Sequence, residues 1–154
     1  MKLSLPLATA ATVAASVATL AVWAATAGGS TRAPAPVHVV EHAVTDAVTN
    51  GTQSDKLGNV LTFANPVYDA ADAKKVGSDN GFCIRSVKGK TWECMWTTFL
   101  PNGQITVEGP FSDSGSTKLA ITGGTGAYAS SRGWMSLNYH NKKGTKFDFV
   151  FHLT

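Results

Sequence analysis

The chain has 154 residues, of which 44% are hydrophobic and 15% charged, and its formal net charge is +3. This length suits one ordinary domain. The basic residues are scattered and no cluster exceeds a pair such as Lys142-Lys143. A nucleic-acid partner, which calls for a clustered basic face, is therefore not expected.

The first 27 residues have the pattern of a secretory signal peptide. Met1-Lys2 is a short positive start, the run from Leu3 to Ala25 carries no charge, and Ala25-Thr26-Ala27 is a small-x-small cleavage site. We predict cleavage after Ala27, a secreted or otherwise extracytoplasmic location, and no stable membrane span after cleavage. An uncleaved membrane anchor is the alternative, because the run is long enough to cross a bilayer.

The chain after the signal peptide divides into a leader and one domain. Residues 28–36 (GGSTRAPAP) have no hydrophobic period, which predicts a flexible leader. From residue 37 to 154, short β-branched and aromatic runs are bounded by Gly, Asn, Asp and Pro, and no clean helical period occurs. We predict eight strands, at 37–44, 58–63, 80–87, 91–99, 104–109, 116–122, 132–140 and 145–153.

The connections between these strands are short, which favours an all-β barrel or sandwich with antiparallel neighbours. The longest piece outside them is 64–79, predicted to hold at most a short extra strand or a turn of helix. In the last strand Phe147, Phe149 and Phe151 share one face and Asp148 and His152 the other. Several strands carry apolar residues on both faces, which predicts a filled interior and an outer contact, for example with a sister subunit.

The two cysteines, Cys83 and Cys94, lie on either side of the turn signal Lys88-Gly89-Lys90. In a hairpin centred between Lys88 and Gly89, opposed residue numbers sum to 177, so the two cysteines face each other. An exported chain enters an oxidising compartment, and we predict a disulfide between them. Two buried thiols lining a cavity, or one reactive thiol, are the competing interpretations.

Two motifs invite a cofactor or metal, and neither has the right context. Thr122–Ala129 (TGGTGAYA) looks like a dinucleotide-binding turn, but no helix follows and too few residues remain for a doubly wound sheet. We interpret its glycines as a tight turn between strands. His38 and His42 share a strand face without a third ligand at recognisable spacing, so we expect no metal.

Several segments after residue 60 occur in a characteristic order. They are Leu61–Asp69 (LTFANPVYD), Val76-Gly77, Gly81-Phe82-Cys83, Gly103–Pro110 (GQITVEGP) and Leu119–Tyr128 (LAITGGTGAY), ending at Arg132-Gly133. Over this stretch the chain resembles the allene oxide cyclases and, more loosely, the dirigent proteins. The resemblance implies a closed antiparallel eight-stranded barrel, often trimeric, whose apolar lumen holds a reactive hydrophobic molecule and needs no cofactor.

The resemblance also assigns candidate site residues. Glu41 and Asn65 match catalytic positions of the cyclases, although Ala43 stands where those enzymes have a second asparagine. Cys83 matches a lumen cysteine. We add Tyr68 and Trp96 as candidate ligand-binding residues.

Three functions remain open from the sequence. The first is an exported barrel that binds a hydrophobic small molecule and acts as a cofactor-free cyclase, isomerase or stereochemical guide. This function predicts that Glu41, Asn65 and Tyr68 point into the lumen. The second is a carrier without catalysis, and the third is a cell-surface structural or interaction module whose lumen is filled by Trp, Phe and Met side chains.

Overall fold

A computed structural model describes residues 34–51 and 54–154 of the chain. The predicted signal peptide and residues 28–33 of the predicted leader lie outside the described residues. Within those ranges, none of the structure forms a helix with the length and apolar character needed to cross a membrane.

The described chain folds into an all-β barrel of antiparallel strands. The strands are β1 (Val37–His42), β2 (Ala47–Val48), β3 (Val60–Asp69), β4 (Lys75–Val87), β5 (Thr91–Leu100), β6 (Gly103–Ser112), β7 (Thr117–Gly126), β8 (Gly133–Tyr139) and β9 (Lys146–Leu153). Sequence neighbours from β3 to β9 pair in order, β1 pairs with β9, and a further pairing of β1 with β3 closes the cylinder.

The barrel has eight strand positions around its circumference, which we call staves, because β1 and β2 together occupy one of them. On the edge of β3, β1 pairs with Val67 to Asp69 and β2 pairs with Leu61 and Thr62. Residues 43–46 separate the two short strands and form no ladder with β3. The predicted closed eight-stranded barrel is therefore confirmed, with one interrupted stave that the sequence did not predict.

The prediction that 64–79 lies outside the strands is wrong. Most of this segment belongs to β3 and β4, joined by a short turn at 70–74. Pro66, within this segment, lies in β3 opposite Ser78. Proline has no N–H to donate, and it is tolerated there because the pairing of β3 with β1 stops at Val67.

The core is the filled interior of the barrel. Residues alternate between lumen and outer face along each strand, as the period of two requires. Phe147, Phe149 and Phe151 are buried, as are Trp92 and Trp96 on β5. Other buried apolar residues are Val39, Val67, Ile105, Val107, Leu119, Ile121, Met135 and Leu137.

The outer face of the β4–β5 hairpin is apolar in part. Phe82, Ile84 and Met95 are exposed there, and Phe82 lies opposite Met95.

The glycine-rich segment is a strand and not the turn that we predicted. Gly123 and Gly124 belong to β7, and the turn follows at 127–130. A Cβ at Gly124 would lie 2.4 Å from the carbonyl oxygen of Tyr128, because the following turn folds back over this strand. Only Gly126 has the positive φ, 59°, that a tight turn requires.

The predicted hairpin register is confirmed. Cys83 lies opposite Cys94, and the two form a disulfide. Both residues belong to the buried core, so the disulfide ties β4 to β5 on the lumen side.

Replacing both cysteines by alanine should lower the free energy of unfolding by about 3 kcal/mol, because the bridge closes a loop of about a dozen residues in the unfolded chain. Urea denaturation of the variant and the wild type measures this difference. Dithiothreitol should lower the free energy of unfolding of the wild type to that of the variant, and it should leave the value for the variant unchanged. Equal unfolding free energies before reduction contradict the prediction.

Candidate functional site

The candidate site forms around the interrupted stave. Between β1 and β2 the backbone leaves the sheet. Without other partners, the backbone N–H groups of Val44 and Thr45 would then have no hydrogen-bond acceptor. The side-chain oxygen of Asn65 accepts both, from Val44 N at 3.0 Å and Thr45 N at 2.9 Å, and it also accepts the Thr45 hydroxyl at 3.0 Å. Thr45 Oγ1 in turn accepts Ala64 N at 2.8 Å. Side chains thus replace the missing ladder.

The other end of the Asn65 amide gathers carboxyl groups. Its Nδ2 donates to Glu41 Oε1 at 2.7 Å and to Asp46 Oδ1 at 2.9 Å, and the backbone N–H of Asn65 donates to Asp79 Oδ1 at 3.3 Å. Asn65 and Asp79 are each 1% exposed and Glu41 is 5% exposed. Both Nδ2 hydrogens of Asn65 are used within the protein, so this residue positions Glu41 and has no donor left for a ligand.

Burial changes the acidity of two of these carboxyl groups. Desolvation raises the pKa of Glu41 to about 7; the hydrogen bond from Asn65 opposes this rise and the charge of Asp46 adds to it. Desolvation likewise raises the pKa of Asp79 to about 9, with the Glu41 charge as the next cause. At neutral pH, Asp79 is therefore protonated, and both the protonated and the ionised form of Glu41 are populated.

A pocket inside the barrel brings Glu41 next to an apolar wall. Glu41 and Asp46 are the acidic members of the wall, and the Cys83–Cys94 disulfide and the Trp96 indole form part of its apolar surface. The remaining lining residues are Leu61, Phe63, Phe111, Leu137, Phe147 and Phe149. The pocket is small, with a cavity volume of about 50 Å³.

Gly81 allows the backbone and Cβ of Trp96 to approach β4 closely at this wall. The two residues are paired across β4 and β5. A Cβ at Gly81 would lie 2.3 Å from the Cβ of Trp96, so only glycine fits. The Trp96 ring packs edge-on against Phe63 and tilted against Phe149, which fixes its position in the wall.

Arg85 lies one inward position beyond Cys83 on β4 and forms ion pairs with two acids. Its Nη1 donates to Asp113 Oδ2 at 2.7 Å, and its Nε forms an ion pair with Asp55 Oδ1 at 2.9 Å, although the angle is not that of a hydrogen bond. The guanidinium carbon lies 4.0 Å from the centre of the Trp92 ring. Arg85 therefore has no free charge to offer a ligand.

The structure places the predicted site residues in three environments. Glu41, Cys83 and Trp96 line the pocket. Asn65 is buried beside Glu41. Tyr68 is on the outer face: it lies opposite Val40 in the ladder and stacks on His42, with ring centroids 4.0 Å apart. The expectation that Tyr68 points into the lumen is wrong, because the strand alternation from Asn65 and Val67 turns it outward.

Three histidines also gather on this outer face. His38 Nε2 lies 2.8 Å and His140 Nδ1 3.1 Å from the same oxygen of Asp148, and His42 Nε2 lies 2.5 Å from Asp72 Oδ1. No group of three or more His, Cys, Asp or Glu side chains in the described part of the chain is arranged to hold a metal ion.

The sequence reasoning missed Asp46 and Asp79. Asp79 belongs to the segment predicted to lie outside the strands, but it shares the inward face of β4 with Gly81 and Cys83. The hairpin sum of 177 pairs Asp79 with Thr98 and was available from the sequence. Asp46 lies in the interrupted stave, and no local sequence pattern marks it.

Replacing Asn65 by alanine should lower the free energy of unfolding by about 3 kcal/mol or more, because it leaves buried partners on both sides of the amide unsatisfied. Urea denaturation measures the loss. Asn102→Ala, at an exposed turn, is the matched control and should change stability by less than about 0.5 kcal/mol. Similar losses for the two variants contradict the role assigned to Asn65.

The stability of the protein should fall as pH rises through neutrality. The folded protein keeps protons on Glu41 and Asp79 to a higher pH than the unfolded chain, whose carboxyls ionise near the ordinary values of 4.5 and 3.8. The folded state therefore binds more protons across this window, and the free energy of unfolding decreases up to about pH 9.

Urea denaturation at a series of pH values measures this slope. Asp79→Asn should make it shallower, whereas Glu108→Gln, at an exposed position on the outer face, should leave it unchanged. A wild-type slope that Asp79→Asn does not alter contradicts the protonated state of Asp79.

Comparison with known proteins finds a matching family and several solved structures that are similar to this barrel. Residues 39–153 match the family model described as allene oxide cyclase. A solved structure titled pyocyanin demethylase is 25% identical, with a TM-score of 0.64, and the alignment covers 77% of this chain and 99% of that one.

Two further solved structures share the fold at lower identity. The pterocarpan synthase dirigent protein PsPTS1 is 19% identical with a TM-score of 0.59, over 77% of this chain and 95% of that one. AbnU, titled an exo-specific intermolecular Diels-Alderase, is 12% identical with a TM-score of 0.59, over 77% and 96%. The family match spans most of the chain and covers every strand of the barrel except the first two residues of β1. The chain belongs to the allene oxide cyclase family.

Proposed function

We propose that the barrel binds a small hydrophobic molecule in its lumen and acts on it without a cofactor, as a cyclase, an isomerase or a guide of stereochemistry. Glu41 carries this proposal. It is a carboxyl group that readily gains or loses a proton near neutral pH, set in an otherwise mostly apolar wall. General acid–base catalysis works best when the pKa of the group lies near the working pH.

Glu41 is held in one orientation for such a role. Asn65 Nδ2 binds Oε1, which leaves Oε2 to give a proton to a ligand or to take one from it. Aromatic rings around the group exclude water and orient the ligand, which raises the rate by holding the reacting atoms together. The names of the related structures, which include a Diels-Alderase and a demethylase, support a barrel that acts on small molecules.

The size of the pocket favours a second candidate, a structural or interaction barrel. Ligand sites for drug-sized molecules typically measure about 300–1,000 Å³, and the present lumen is largely filled by aromatic side chains. Against this candidate stand the polar groups that converge on Glu41, because a structural core gains nothing from burying carboxyl groups. Phe63 lines the pocket and is only partly buried, and its rotation would enlarge the lumen for a ligand of bicyclic size.

We also propose that the protein acts outside the cytoplasm. The disulfide between Cys83 and Cys94 supports this location, because such bonds persist mainly in oxidising compartments.

Binding is tested with N-phenyl-1-naphthylamine, a neutral dye that becomes fluorescent in apolar sites. Leu137→Trp fills the lumen and should weaken dye binding at least about tenfold, since the added ring occupies the ligand volume. Ile84→Trp adds the same ring on the outer face and should leave binding unchanged. Equal binding by both variants and the wild type contradicts a lumen site.

Catalysis by Glu41 is tested with 5-nitrobenzisoxazole, a neutral bicyclic compound. When a base removes its ring proton, the C–H electrons form a nitrile and the N–O bond breaks to release a coloured phenolate. The reaction rate with the wild-type protein should exceed the rate with an equal concentration of acetate by about 100-fold or more. The rate should rise with pH with a midpoint near 7. Glu41→Gln should lose this excess and Glu108→Gln should keep it; an unchanged rate in Glu41→Gln contradicts the role.

A further inference from the structure

The charge balance of the lumen limits the class of ligand that it accepts. Its wall holds two carboxyl groups, Glu41 and Asp46, and no lysine or arginine is among its lining residues. Asp79 lies behind them, bound to the same asparagine. An anionic ligand would have to leave water and stand beside these groups without a counter-ion, which is costly at low dielectric.

The nearest buried cation does not alter this balance. Arg85, toward the same end of the barrel, is neutralised by Asp55 and Asp113, so this cluster carries one net negative charge when all three groups are ionised. The lysines at Lys56, Lys88 and Lys90 are exposed, where solvent screens them.

The apolar part of the wall favours a positive charge as well. Five aromatic side chains line the pocket: Phe63, Trp96, Phe111, Phe147 and Phe149. The faces of such rings attract cations, most strongly where water is excluded. A cation next to Glu41 would also stabilise its ionised form.

Resting on the proposed lumen-binding function, we propose that the ligand is an aromatic molecule with a positively charged nitrogen, such as an aryl-alkyl ammonium, and that the lumen rejects carboxylates of the same shape. The ammonium group pairs with Glu41 and Asp46, and the ring packs among the aromatic side chains. The disulfide and Leu137 complete the apolar contact.

The test uses three probes of matched shape: 2-naphthylmethylamine, 2-naphthylmethanol and 2-naphthoate. Each is titrated as a competitor of N-phenyl-1-naphthylamine for the wild-type protein at about pH 8, where Glu41 is mostly ionised. The amine should bind tightest and the carboxylate weakest, with a ratio of dissociation constants of about 100 or more.

Two double variants of equal net charge identify the cause. Glu41→Gln with Asp46→Asn removes both lumen carboxylates and should reduce the ratio to less than about 10. Glu93→Gln with Glu108→Gln removes two exposed outer-face carboxylates and should leave the ratio unchanged. Circular dichroism checks that both variants are folded.

The outcomes separate this inference from the proposed function. A carboxylate that binds as tightly as the amine, a ratio that falls equally in both double variants, or displacement of the dye by none of the probes overturns the inference and leaves the lumen site standing. A wild-type protein that binds neither the dye nor any probe overturns the lumen site and the inference together.

Discussion

The interruption of one stave, held by the amide of Asn65, is the constraint on which the site depends. A continuous first strand would satisfy its backbone through the ladder and leave no reason for a buried amide at this depth. Because the strand stops at His42 and resumes at Ala47, two backbone N–H groups need an acceptor, and the Asn65 oxygen accepts both. Its nitrogen is then directed at Glu41 and Asp46. One side chain therefore does both: its oxygen accepts the unpaired backbone N–H groups, and its nitrogen positions the carboxyl groups.

This arrangement lets an apolar barrel keep an ionisable group. A lone carboxylate in such a lumen would be strongly disfavoured, and burial indeed shifts Glu41 and Asp79 toward their protonated forms. The hydrogen bond from Asn65 lowers the pKa of Glu41 and so opposes that shift. The pKa of Glu41 near neutrality is therefore a balance between desolvation and one hydrogen bond. The same balance makes the residue suited to proton transfer and responsive to the charge of a bound ligand.

Much of the fold could be predicted because alternation and turn chemistry are local. The cysteine register followed from one turn and one sum, and the inward phenylalanines of the last strand followed from a period of two. The interrupted stave could not be predicted, because it depends on Asn65 reaching a segment about 20 residues away in sequence. Pro66 and Asp79 were misread for a related reason: both are turn formers by composition, and tertiary pairing places them in strands. Tyr68 was expected to point into the lumen, whereas strand alternation from the buried Asn65 places it on the outer face.

The central claim is that Asn65 holds a buried Glu41 whose acidity is set by the apolar lumen. A ¹³C NMR titration of the glutamate side-chain carboxyls, with Glu41→Gln used to assign the resonance, measures that acidity directly. The account predicts that the Glu41 signal titrates with a midpoint near pH 7. A midpoint at the ordinary value of 4.5 would show a solvated carboxylate and contradict it.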